Sequence, residues 1–173
     1  MKTLSVTIEG ITPLLMHSFP LVPIPGIDKM TPEDQAEHAT YRDPDGKLYV
    51  PGIAVQRAFI GGATYVKGKG RASLQKPVCA GVFITPERIV LAQQSYVIDS
   101  RPVVIAATKG RIVRHRPRFD KWTLAFTLEY DPELISAAQM REIVDNTGKR
   151  VGLLDFRPER KGPFGTFAVT QWQ

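Results

Sequence analysis

Near the end of the chain, Arg157, Arg160 and Lys161 stand between Gly152 and Gly162 in RVGLLDFRPERKGPFGTF. Cations on a glycine-bearing backbone suit phosphate: the side chains neutralise charge while backbone N–H groups point at the oxygens. Two more basic clusters precede this one. VKGKGRASLQK carries Lys67, Lys69, Arg71 and Lys76. Between residues 101 and 121 lie Arg101, Lys109, Arg111, Arg114, Arg116, Arg118 and Lys121, with Asp120 the sole acid. Seven cations against one carboxylate make +6, the formal charge of the whole chain, so everything outside this segment sums to zero. On an extended strand Arg114, Arg116 and Arg118 fall on one side. Their spacing of roughly 6–7 Å approaches that of phosphates along a single strand. A planar guanidinium fork also suits phosphate better than a point charge does. The plainer alternatives are edge-strand protection for the hairpin and a solvated turn for the loop. A membrane surface fits less well, because no basic amphipathic helix accompanies the charge.

Groups able to move protons are few. His17, His38 and His115 are the only histidines, and a metal-independent ribonuclease would need one as general base. Asp28 and Asp34 lie in IDKMTPED, the loop after the first strand. The sequence joins neither His17 nor Asp28 to a nucleophile, so binding without catalysis is the expectation. Asp155, in LLDFRP, reads as a structural anchor for Arg157 or Arg150. The chain has no Walker motif, no His/Cys metal-ligand spacing and no G-x-S-x-G, so neither a cofactor nor a metal is expected. The single cysteine, Cys79, sits in apolar PVCAGVFI and is expected to be a buried thiol in a reducing compartment.

These groups need elements to hold them. Residues 2–9 alternate strictly, which predicts a half-buried strand. Prolines crowd the stretch 17–47, a long loop with one short helix at TPEDQAEHA, capped by Thr31. DPDGKLYVPG leads into a helix from Pro51 to Tyr65. A basic loop spans 66–77. VCAGVFIT and RIVLAQQSYVI read as strands, and RPVVIAATKGRIVRHRPR as a hairpin turning at Thr108-Lys109-Gly110. KWTLAFTLEY places Trp122, Leu124, Phe126, Leu128 and Tyr130 on one face. DPELISAAQMREIVDNTGK predicts a helix with Asp131 as N-cap and Gly148 just past its end. FGTFAVTQW is the last strand.

At 173 residues this is expected to be one domain, 1–173, with insertions at 17–47, 66–77 and 100–118. The order β-α-β, hairpin, β-α-β predicts an α+β, ferredoxin-like (RRM-like) βαββαβ core, with the first and third core strands central. The outward residues of those strands, Thr3, Ser5, Thr7, Glu9, Thr123, Ala125, Thr127 and Glu129, offer no aromatic platform for stacking bases. Contact is expected through loops and hairpin instead. No apolar run reaches the roughly 18–20 residues that span a bilayer, and the start lacks a signal-peptide block, so the expected compartment is the cytoplasm.

LSVTIEGITPLLMH, DPDGKLYVPGIAVQRAF and GPFGTFAV, in that order, together with a basic hairpin between the second and third core strands, resemble the RAMP superfamily of CRISPR proteins. Within it they are most similar to the Cas7-type backbone subunits. The resemblance implies a cytoplasmic prokaryotic or phage-borne protein that binds a single-stranded guide RNA along its backbone, with the target strand as a further partner. It also implies stacking head to tail on copies of itself, beside other effector subunits. It places helix contacts at Gln56 and Arg57, and thumb contacts from Lys109 to Arg116. Two readings stand beside it: a Cas6-like metal-independent endoribonuclease, and a phage structural or assembly protein. Replacing Arg111, Arg114 and Arg116 is expected to weaken binding with little change in melting temperature.

Overall fold

The two strictest alternators in the sequence form the centre of the protein. The computed structural model describes residues Met1–Gln173. Strand β1 (Lys2–Gly10) leads to the two-residue β2 (Leu14–Leu15) and, after a long loop, to α1 (Pro32–His38). Then come β3 (Tyr49–Pro51), α2 (Gly52–Gly62), α3 (Gln75–Gly81), β4 (Val82–Thr85) and β5 (Arg88–Val90). The hairpin β6 (Val97–Val104) and β7 (Arg111–Phe119) precedes β8 (Thr123–Tyr130), α4 (Ala137–Asn146) and β9 (Phe167–Trp172).

The architecture is α+β. β1 pairs with β8 antiparallel from Lys2–Tyr130 to Glu9–Thr123. β4 and β9 flank them in the order β4-β8-β1-β9, so the four strands lie 2-3-1-4 in chain order. Val6, Ile8, Leu124, Phe126 and Leu128 point to one face. There they meet Val55, Ala58 and Phe59 of α2 and Met140, Ile143 and Val144 of α4. Each fully buried side chain of this kind contributes about 1.5–3 kcal/mol, which makes the helix-covered face the one that holds the fold. The opposite face is open and polar, with one addition to what the sequence predicts. Phe83 of β4 pairs with Glu129, shares its face and is 48% exposed.

A second sheet, β2-β7-β6, ties the root of the hairpin to the chain that leaves β1. No helix is long and apolar enough to cross a membrane.

Several expectations change at element ends. Residues 78–81 are helical, not strand: α3 runs to Gly81, Val78 turns inward and Cys79, the next residue round, is exposed rather than buried. The stretch RIVLAQQSYVI is two strands, because Gln94 folds back to accept from Leu48 N–H at 2.8 Å and donate to the Leu91 carbonyl at 2.7 Å. The second main helix starts later than expected. Ser136 and Gln139 form a reciprocal capping box, while Asp131 heads a turn by accepting from Glu133 N–H at 2.9 Å. Gly148 does not end that helix. It lies in a π-turn, Thr147–Val151, where a Cβ would stand 2.2 Å from the Phe167 carbonyl oxygen. The glycine is needed there for close approach to β9.

Candidate nucleic-acid interface

The chain leaves the π-turn through Gly152, whose φ of 75° is costly for any residue with a Cβ. The loop that follows is pinned from both sides. Asp155 N–H donates to the Leu15 carbonyl at 3.0 Å, and Gly165 N–H to the Pro13 carbonyl at 2.8 Å. Pro158 opens a short 3-10 turn, Pro158–Arg160. This loop and the first turns of α2 enclose a cavity of about 410 Å³, on which His17, Tyr41, Arg57, Asp155, Arg157 and Arg160 converge.

The loop's backbone does not present a row of free donors. Gly152 donates to the Thr147 carbonyl, Leu153 to Gly165, Gly162 to Arg157 and Phe164 to Phe156. Its capacity for an anion therefore lies in side chains. Arg57 and Arg160 have no acidic partner within 4.0 Å, whereas Arg157 donates to the Leu154 carbonyl at 2.8 Å and to Glu159 at 2.6 Å. Lys161, with φ of 63°, is exposed and does not line the cavity.

Asp155 is the hub of the wall. It bonds Arg116 and lies 3.4 Å from His17 Nδ1. Burial pushes its carboxyl up, but hydrogen bonding from His17 and the charge and bond of Arg116 outweigh burial and hold it down at about 2. Its partners are therefore Arg116 and His17, not Arg157 or Arg150; the Arg150 guanidinium lies 4.9 Å over the Tyr65 ring.

Arg116 departs furthest from expectation. Its residue is 5% exposed, and its Nε is buried with no partner. It braces the hairpin root instead of facing a ligand. Removing it with Arg111 and Arg114 would consequently cost stability as well as charge. The neighbouring arginines are also engaged. Arg114 bonds Asp28; Arg118 bonds Asp120 at 2.8 Å and lies 3.7 Å from Asp99. Arg101 grips Asp99 at 2.6 Å with its guanidinium 4.8 Å over the Phe164 ring. The seven cations of 101–121 thus face four carboxylates, Asp28, Asp99, Asp120 and Asp155, leaving +3 locally. Lys109, in a left-handed turn, and Arg111 remain exposed and without an acid at the hairpin tip.

Gln56 donates to the Val82 carbonyl at 2.6 Å, which joins α2 to β4. Lys67, Lys69 and Arg71 are exposed on the loop before α3 and do not line the cavity. Asp28 is held by Arg114, and His115 Nδ1 lies 2.7 Å from the Ser100 hydroxyl. No local pattern in the chain ties Tyr41 or the His17–Asp155 pair to this cavity, which the fold assembles from distant segments.

No protein-family model matches this chain. No curated protein matches it. Among solved structures, a chain from the cryo-EM structure of the Type III-B Cmr-beta bound to cognate target RNA is similar, with a TM-score of 0.55 and 14% identity. The match covers 99% of this chain and 59% of that one. At this identity the likeness is one of fold.

Proposed function

We propose that this protein is an RNA-binding subunit of a CRISPR-type ribonucleoprotein, built as one ferredoxin-like domain of the RAMP kind over residues 1–173. The 2-3-1-4 strand order with both main helices on one face supports that core. The fold likeness to a chain of an RNA-bound complex supports the partner class. The carrying observation is the cavity where Arg57 and Arg160 stand unpaired beside Arg157. Single-stranded guide RNA lies along this cavity and continues past Lys109 and Arg111 at the hairpin tip. Gln56, Lys67, Lys69, Arg71 and Lys161 flank the path. Copies stack head to tail along the guide, beside other effector subunits, in a prokaryotic cytoplasm.

Binding to a labelled single-stranded RNA at rising salt tests this. Affinity should fall steeply, with a log–log slope of about −0.7 per neutralised phosphate. Nuclease footprints should show protection in regular steps. No measurable affinity at low salt, or a discrete assembly free of nucleic acid, would overturn it.

A further inference from the structure

We propose that the cavity between the hairpin root and the glycine-rich loop takes one nucleobase of the bound RNA, stacked on the guanidinium of Arg101. This rests on the RNA-binding reading above and adds a base site to its phosphate contacts.

Arg101 is held in one pose. Its Nε and Nη2 donate to the two carboxylate oxygens of Asp99, each at 2.6 Å, and the Asp99 side chain is 4% exposed. The guanidinium lies 4.8 Å from the ring centroid of Phe164 and 5.5 Å from that of Phe156. Rings on opposite sides of it would stand nearly the sum of those distances apart. The two centroids are only 6.0 Å apart, so both rings sit on the same side. The other side is open, and the Arg101 side chain is 32% exposed. Asp99 neutralises its charge, which makes Arg101 a poor phosphate ligand. What remains is a fixed planar cation backed by aromatic rings, a surface on which a base stacks.

The loop is strained to build this support. Phe156 has φ of 46°, a costly conformation for a residue with a Cβ. Its N–H donates to the Asp155 carboxylate at 3.0 Å, and its carbonyl accepts from Phe164 N–H at 3.2 Å. Gly162 passes so close that a Cβ there would stand 1.8 Å from the Phe156 carbonyl oxygen. Arg101, Val103 and Phe156, with Arg157 and Arg160, line a cavity of about 460 Å³. Asp155, Arg157 and Arg160 also line the first cavity, so they form the wall between the two. Unpaired Arg160 can therefore hold a phosphate in the first cavity while a base turns across the wall into the second.

The test is a cycle of two proteins and two ligands, read by fluorescence anisotropy at one salt concentration. The ligands are a labelled single-stranded RNA and an oligomer of equal length with the same ribose-phosphate chain and no bases. Wild type should hold the RNA about tenfold more tightly than the abasic chain. Arg101→Lys keeps a cation for Asp99 but has no plane. It should lose most of that advantage, bind the abasic chain as wild type does, and melt close to wild type. Equal affinity of wild type for both ligands, or an equal loss on both in Arg101→Lys, would overturn this proposal alone. Irradiating wild type on RNA that carries 5-iodouridine needs no variant. Crosslinks should fall within residues 101–104 or 155–157, and crosslinks confined to other segments would also overturn it. Absence of RNA binding would overturn the preceding reading and this one with it.

Discussion

Of the five arginines on the β6–β7 hairpin, Arg101, Arg114, Arg116 and Arg118 each meet an aspartate. Of the three arginines on the cavity beside α2, Arg57 and Arg160 meet none. The region richer in positive charge is the better neutralised one. Three of the hairpin's four carboxylates come from outside the segment 101–121, at Asp28, Asp99 and Asp155. A charge total along the chain therefore overstates the field the folded hairpin projects. The hairpin arginines act mainly as braces, and the cavity arginines are left free for an external anion.

The most severe way to break this contrast is to take the shared acid away. Asp155→Ala leaves Arg116 buried without its charge partner, and should destabilise by about 3–5 kcal/mol, read from urea unfolding. The same group sets an acid limit. Its carboxyl is lowered from a reference value near 3.9 to about 2, so its stabilisation is complete above about pH 4 and is lost as pH falls through about 2. Melting temperatures between pH 5 and pH 2 should show that loss in wild type and a flatter curve in Asp155→Asn.

Next in size are the free cations. Arg57→Ala and Arg160→Ala should each weaken RNA binding roughly tenfold, as expected for a charge-assisted bond, and leave the melting temperature unchanged. The double variant Lys109→Ala/Arg111→Ala at the tip should do less, about threefold, while lowering the salt slope by about 1. A larger effect at the tip than in the cavity would reverse the contrast. The smallest change is Arg114→Ala. Its pair with exposed Asp28 lies at the surface, so the cost should be at most about 1 kcal/mol, with affinity nearly unaltered. A tenfold loss of affinity there would show that Arg114 releases Asp28 to bind RNA.

Periodicity alone located β1, β8, the hairpin with its turn at Lys109, and the helix capped by Thr31, because their side chains alternate or cap locally. The basic cluster on a glycine-bearing loop marked Arg157 and Arg160 as candidates, and Arg57 came from the family resemblance alone. Periodicity failed at 78–81 and at 91–96, where short apolar runs carry no phase and a side chain such as Gln94 redirects the backbone. It failed again at Ser136, where Asp131-Pro132 mimics a helix start five residues early.

The amino-acid sequence by itself determined the order of the central strands and the two main helices, the covered face of the sheet and the excess of cations, since each follows from neighbours a few residues apart. Only the tertiary structure decided which cations are free. Arg116 and His17 share Asp155, and Arg114 takes Asp28, across separations that no local pattern records. A buried guanidinium must find a carboxylate wherever the fold supplies one, and that choice left Arg57 and Arg160 open to a partner.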